Sequence, residues 1–285
     1  MNFIADIGSN HNQDLVRTMK LIDIAAGIGC DAVKFQLFRV DKMYAPEVLG
    51  KSKQHRDLTS RELPLEFIPH ILFRCLEQKI MFICTPFYLD AVKELAPYVH
   101  AFKIGSFEIL WLDMIRACAD TGKPVFLSTG MASMDEIRAA VSIFPLPAPL
   151  PFLMHCVSGY PAPPSQANLA RIDLLREEFS IHPGYSDHTV SEAVICRAVH
   201  HWGASNIEFH LDLDGSGAEY SHGHCWTPDR AKIMIESVRA GIEADGNGSM
   251  RPALCEIQNV KWRADIDGQR PQKHERREWN YADAH

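Results

Sequence analysis

Two histidines in one short stretch are placed to do chemistry together. His188 closes the segment Gly184-Tyr-Ser-Asp-His188, and His210 closes Ile207-Glu-Phe-His210. Each has a carboxylate beside it, Asp187 and Glu208. If the two segments are neighbouring parallel strands, both imidazoles emerge at the same end of one sheet. Two imidazoles and carboxylates converging on one rim can hold a divalent metal. For either histidine alone, a loop cap or a packed core is the simpler account. Their matching places in successive strand–helix units favour the metal.

Further chemistry-bearing residues end other apolar segments. Lys34 and Lys103 close two of them and would supply positive charge for a phosphate or carboxylate. Thr85, Ser106 and Ser128 add hydroxyl donors at the same level. One lysine at a strand end commonly just reaches water; two with hydroxyls beside them fit that account less well. Glu108 follows a Gly-Ser turn, where it suits a general acid or base, a sugar-hydroxyl acceptor, or simply an acid at a helix N-terminus. Asp6, Asn10, His11, Gln36, Thr129, His155 and Ser158 also fall at or just after strand ends. No Gly-Lys-Ser/Thr follows a glycine-rich turn, so no phosphate-binding loop of that kind is present. A metal beside a two-lysine anion pocket suggests a phosphorylated substrate meeting an electrophile.

The elements that must position these residues alternate in kind. Strands are expected over 3–7, 32–36, 80–84, 101–104, 125–128, 152–156, 184–185 and 206–208. Helical spacing covers 14–28, 65–78, 89–95, 110–121, 134–143, 169–179, 190–202 and 228–244. A polar excursion separates the second strand from its helix, and a proline-rich connection covers 145–151. Continuously apolar strands imply burial on both faces, as in a parallel sheet. Eight regular units favour an α/β fold of the TIM (β/α)8 barrel type over an open doubly wound sheet. The barrel is expected over 1–246. The polar stretch 247–285 shows little periodicity and reads as an extension wrapped on the barrel or partly disordered.

Composition narrows the classes. The chain has 285 residues, 46% of them hydrophobic, and a formal charge of −7. That charge argues against general nucleic-acid binding or a membrane-surface role. No apolar run approaches the ~20 residues of a membrane span, and no signal-like leader opens the chain. A cytoplasmic location is expected. The eight cysteines form no Cys-x-x-Cys pair and mostly sit in apolar segments, so reduced, buried thiols are expected.

At these residues the chain resembles the sialic acid synthase family, the phosphoenolpyruvate-dependent nonulosonate synthases. The matching pieces are Ile7-Gly-Ser-Asn-His-Asn12, Asp31-Ala-Val-Lys-Phe-Gln36, Thr85-Pro-Phe87, Lys103-Ile-Gly-Ser-Phe-Glu108 and Gly122-Lys-Pro-Val125. Further pieces are Leu127-Ser-Thr-Gly-Met131, His155-Cys-Val-Ser-Gly-Tyr-Pro161, Gly184-Tyr-Ser-Asp-His-Thr189 and Gly203-Ala-Ser-Asn-Ile-Glu-Phe-His210. They run in family order along the whole expected barrel. The resemblance implies condensation of phosphoenolpyruvate with an open-chain, N-acetylmannosamine-like aldehyde, giving a 3-deoxy-2-keto sugar acid and phosphate. It implies a divalent metal, usually manganese, on His188 and His210. Lys34, Thr85, Lys103, Ser106, Ser128, Ser158 and Ser186 fall where the family grips phosphoenolpyruvate, and Glu108 and Tyr160 where it holds the sugar. Glu108, Lys103 and Asp6 are the expected catalytic residues.

The departures are as specific as the matches. Asp6 stands where the family usually has glutamate, one methylene longer. Gly105-Ser-Phe107 replaces a Gly-Ser-Gly turn, and Ala218-Glu-Tyr-Ser221 replaces Pro-Gly-Pro-Asp. No C-terminal antifreeze-like domain is recognised. The sugar site is then expected to be closed by the tail, a second protomer of a homodimer or a separate lid partner, or to be left open.

Overall fold

The computed structural model describes residues 1–144 and 149–277. The chain divides into two compact units, Met1–Ile242 and Glu243–His285. The first unit is a closed barrel of eight parallel strands. In order these are β1 (Asn2–Gly8), β2 (Ala32–Leu37), β3 (Met81–Pro86), β4 (Ala101–Ile104), β5 (Val125–Ser128), β6 (Phe152–Cys156), β7 (Gly184–Asp187) and β8 (Asn206–Leu211). Each pairs with the next, and β1 pairs with β8 to close the ring. The expected (β/α)8 barrel is the fold observed. The eight helices following the strands are α1 (Leu15–Gly27), α2 (Phe67–Gln78), α3 (Leu89–Leu95), α4 (Leu112–Ala119), α5 (Met134–Val141), α6 (Arg171–Phe179), α7 (Glu192–His200) and α8 (Pro228–Ala244).

Side chains alternate across a strand, so each strand sends every second residue into the barrel. Ile4, Ala32, Ile83, Ala101, Phe126 and Met154 form an inner apolar cluster. The opposite faces carry Phe3, Phe35, Phe82, Phe102 and Phe209, all fully buried in the core shared with the helices. Burying one such ring contributes about 1.5–3 kcal/mol. Two residues further along each strand, the inward positions become polar. They are Asp6, Lys34, Thr85, Lys103, Ser128, Ser186 and Glu208, each under 5% exposed. The same alternation thus builds an apolar plug and a polar layer above it.

Three elements differ from expectation. The polar excursion after β2 contains three short helices, Val40–Met43, Pro46–Lys51 and Lys53–Asp57. The helix expected from 110 begins at Leu112, because Ser106–Glu108 first makes a 3-10 turn. A two-residue strand, β9 (Cys225–Trp226), joins β8 in the register His210↔Cys225 and Leu211↔Trp226. Two residues are too short for any periodicity to announce. Of the expected connection 145–151, residues 145–148 lie outside the described residues.

All eight cysteines are free; six are buried, Cys196 is half-buried and Cys255 is exposed. Among the described residues, no helix is long and apolar enough to cross a membrane. In the second unit, Leu254–Trp262 forms a 3-10 helix and Lys273–Arg277 a short α-helix. An ion pair joins Lys273 to Asp267 at 2.5 Å, and another joins Arg276 to Asp265.

Candidate active site

The polar layer floors a cavity of about 360 Å³ at the C-terminal ends of the strands. That is the face on which barrels of this kind carry their sites. All the candidate residues named above as catalytic, substrate-binding or metal-binding line it, except Ser158. The Ser158 hydroxyl is buried beside Gly130 and Ser106, without a hydrogen-bond partner. Thr85 Oγ1 and Glu108 Oε2 are likewise buried and unpartnered. Buried polar atoms are nearly always paired in a resting fold. Two unpaired ones on cavity-lining residues, with a third just behind, fit a site that receives a polar ligand.

The two lysines do not stand as bare cations. Lys34 Nζ donates to Asp6 Oδ2 at 2.7 Å, and Lys103 Nζ donates to both oxygens of Glu208, at 2.8 and 3.0 Å. Lys34 also lies 3.9 Å from Glu208. The expected two-lysine anion pocket is therefore a charge-balanced floor of two cations and two carboxylates. Register explains the first pair, since Asp6 faces Lys34 across β1 and β2. The second reaches across the barrel between β4 and β8. Burial alone would raise the Glu208 carboxyl, but Lys103 and Lys34 outweigh it and hold it ionised well below the usual range. Ser186 donates a further hydrogen bond to Glu208 Oε1, at 3.0 Å.

Glu108 behaves oppositely. Burial, only partly offset by a backbone hydrogen bond and by Lys103 and Lys34, pushes its carboxyl up to about 7. A buried acid that titrates near neutrality can give and take a proton. Phe107 beside it is 66% exposed and lines the mouth.

His188 and His210 do emerge at one rim, with ring centroids 5.5 Å apart. His188 Nδ1 donates to the Val157 carbonyl at 2.7 Å, which leaves Nε2 as the free lone pair. Burial, then the neighbouring His210, depress its pKa to about 3, so the ring is neutral. Tyr160 packs over it with a centroid distance of 4.2 Å. His210 donates from Nδ1 to Glu219 Oε2 at 3.0 Å and turns Nε2 toward Asp6 Oδ2 at 3.3 Å. Burial opposes its protonation, but Asp6 and hydrogen-bonded Glu219 together raise its pKa.

The carboxylates expected beside the histidines do not join them. Asp187 lies one residue off the inward register and faces away. It accepts from the Thr189 and Val190 amides, the Thr189 hydroxyl and the Trp226 indole, so it holds the loop after β7 and secures β9. Glu208 is inward but committed to Lys103. His155 is also off register and bonds the Ala167 carbonyl at 2.8 Å, and Asn10 and His11 are absent from the cavity lining.

Residues that sequence reasoning did not single out complete the rim. Glu219, His222 and His224, from the β8–β9 connection, and Arg61, from the excursion after β2, line the cavity. Glu219 is fixed from behind. Its Oε1 accepts from the Ser9 amide at 2.7 Å, and its own amide donates to Asn10 Oδ1 at 2.8 Å. Gly8, at φ +51°, has no side chain because Glu219 occupies the space a Cβ would take. Buried Arg17 braces the same connection through Asp212, at 2.7 Å, and the Asn10 carbonyl, at 2.6 Å. The available signal was the close spacing of Glu219, His222, His224 and Cys225 in an irregular stretch that the family comparison marked only as a departure.

Comparison with known proteins agrees with this geometry. Residues 21–250 match the NeuB family model. The chain is 33% identical over 248 residues to the spore coat polysaccharide biosynthesis protein SpsE of Bacillus subtilis, covering 83% of this chain and 66% of that protein. It is 31% identical over 271 residues to the N,N'-diacetyllegionaminic acid synthase of Campylobacter jejuni, covering 90% of this chain and 81% of that one. Among solved structures, the N-acetylneuraminic acid (sialic acid) synthetase of Leptospira borgpetersenii superposes with a TM-score of 0.79 at 30% identity, covering 94% and 92% of the two chains. Fold and sequence agree, and the chain belongs to the NeuB family.

Proposed function

We propose that the chain condenses phosphoenolpyruvate with the open-chain aldehyde of an N-acylated hexosamine, N-acetylmannosamine-like, to give a 3-deoxy-2-keto sugar acid and inorganic phosphate. The observation that carries this reading is the buried layer of Lys34, Thr85, Lys103, Ser128 and Ser186 beneath a two-histidine rim. Carbon 3 of the enol attacks the aldehyde carbon, whose oxygen takes up a proton. Water adds at carbon 2 and loses a proton. The carbon 2–oxygen bond to phosphate then breaks, phosphate leaves, and the hydroxyl proton departs as the ketone forms.

Lys34, Lys103 and the hydroxyls hold the phosphate and carboxylate and stabilise their charge through the transition state. Binding must loosen the lysines from Asp6 and Glu208, so part of the binding energy goes into opening those pairs. Glu108, with its pKa near neutrality, is the proton carrier at the acceptor. His188 Nε2 and His210 fit the family's divalent ion, since the Val157 carbonyl and Glu219 fix the rings as partners of metal-bound imidazoles do. Such an ion supplies Lewis acidity at the aldehyde oxygen; manganese is the expected metal.

One observation favours a different aldose as acceptor. Asp6 already accepts from Lys34, Gln36 and the Gly8 amide and faces His210. It has little capacity left to grip a sugar in the way a longer glutamate would. The test is phosphate release from phosphoenolpyruvate with Mn²⁺ and a panel of hexosamines and other aldoses. Release dependent on both aldose and metal is expected. Protein that binds phosphoenolpyruvate and metal but releases no phosphate with any aldose would overturn the synthase reading.

A further inference from the structure

The β8–β9 connection carries a second donor set that shares only His210 with the two-histidine site. One ligand atom from each of His210, Glu219, His224 and Cys225 lies within 4.8 Å of every other. His210 Nδ1 is 3.0 Å from Glu219 Oε2, and His224 Nε2 is 3.6 Å from the same oxygen. Donors about 2.0–2.3 Å from one zinc ion stand roughly 3.3–3.8 Å apart across a tetrahedron. The cluster is close to that spacing before any ion draws it together.

His224 gives the independent reason to look for a ligand. The residue is 4% exposed, yet its Nδ1 has no hydrogen-bond partner, and Nε2 makes only a long 3.6 Å contact with Glu219 Oε2. A buried imidazole left unpaired costs stability. Glu219 is held by the Ser9 amide through Oε1, so Oε2 is free to face both rings. Cys225 is brought alongside by the β9 register with His210, and its sulfur accepts from the Asn10 side-chain amide at 3.5 Å.

We propose that His210, Glu219, His224 and Cys225 bind one divalent ion, and that the thiol makes this site prefer zinc, cobalt or ferrous iron to manganese. Thiolate and imidazole donors select these softer ions, while manganese suits oxygen ligands. The ion would clasp the β8–β9 connection to the end of β8 and take the His210 ring through Nδ1 in place of its hydrogen bond to Glu219, so it and an ion on Nε2 would compete for the neutral ring. This rests on the proposed synthase only for its catalytic consequence; the donor cluster stands on its own distances.

The test is cobalt titration of the full chain after chelator treatment, with zinc and manganese competition. A thiolate-to-cobalt charge-transfer band is expected in the near ultraviolet. Cys225→Ser should lose that band while still binding cobalt, and His188→Ala should keep it. Zinc should outcompete manganese. His224→Ala should weaken zinc by more than ~100-fold, beyond the cost of losing a merely orienting partner. Circular dichroism checks that each variant folds, and the conservative Cys225→Ser carries the test if His224→Ala does not fold. A cobalt spectrum without a thiolate band, or one unchanged in Cys225→Ser, overturns the proposal. No turnover is read, so failure of the synthase reading would leave this result standing, and the reverse.

Discussion

The floor and the rim of the cavity are built on different principles. On the floor, Lys34, Lys103, Asp6 and Glu208 are borne by strands, nearly inaccessible, and paired into two ion bridges. At the rim, Arg61, Glu219 and His224 come from connections; among the described residues the Arg61 side chain makes no hydrogen bond or ion pair, and His224 Nδ1 has no partner. The charges of the floor are paired without ligand and must be opened by it; the rim leaves groups for a ligand to finish. A buried charge needs its partner at all times, whereas a half-buried guanidinium such as that of Arg61 can be met by water.

The largest effect should follow from breaking a floor pair. Lys103→Met leaves Glu208 buried and unpaired apart from the more distant Lys34. The expected cost is about 3–5 kcal/mol of folding stability, with loss of phosphate release. Urea unfolding measures the first. Adding Glu208→Gln should recover most of the stability but none of the activity. If the single variant unfolds like the parent, the floor is not the rigid element described here.

The difference also explains what could be read in advance. Alternation and strand order bring Asp6, Lys34, Lys103 and Glu208 to one level, and both follow from apolar periodicity. The pairing of those charges was hidden. It depends on which strands face each other across the barrel, 105 residues apart for Lys103 and Glu208. Asp187 was misplaced for a one-residue reason: a carboxylate next to an inward histidine necessarily points the other way. The rim was mostly illegible because β9 spans two residues and Glu219 lies in a stretch with no period. Its position depends on Arg17, Asn10 and Gly8, about two hundred residues earlier in the chain.

Between floor and rim stands Glu108, and its titration tests where one ends and the other begins. With its carboxyl near 7, the neutral acid dominates below that pH and the anion above. Its stability contribution is fully present below the ordinary value of 4.5 and is lost as pH rises through about 7. Glu108→Gln should flatten that loss. It should also lower kcat/KM by about 10²–10⁴-fold and remove the limb of the pH–rate profile centred near 7. A profile that keeps the limb in Glu108→Gln would assign the proton carrier elsewhere, with His210 next in line.

His210→Ala sharpens the comparison at the join of the two regions, because the ring touches Asp6 on the floor and Glu219 at the rim. It should abolish divalent-ion binding, read by calorimetry, while circular dichroism shows the barrel intact. Normal metal affinity would remove His210 from both sites considered above.

Arg61 should show the smallest effect and the cleanest separation. It lines the cavity from the 3-10 turn Leu58–Arg61, and among the described residues its side chain makes no ion pair or hydrogen bond. The floor lysines are neutralised at rest, so an arriving trianion meets little net attraction from them. An unpaired guanidinium at the entrance supplies what the floor withholds, in a fork suited to phosphate or carboxylate. Arg61→Ala should raise the KM for phosphoenolpyruvate about tenfold, worth ~1.4 kcal/mol. It should leave kcat nearly unchanged and stability within about 0.5 kcal/mol, as for a surface position. Added salt should shrink the difference between variant and parent, because a half-buried charge at the entrance is screened more than a fully buried pair. A variant that loses kcat but keeps KM would instead place Arg61 at the reacting atoms, and the division between a closed floor and a waiting rim would then have to be drawn lower in the barrel.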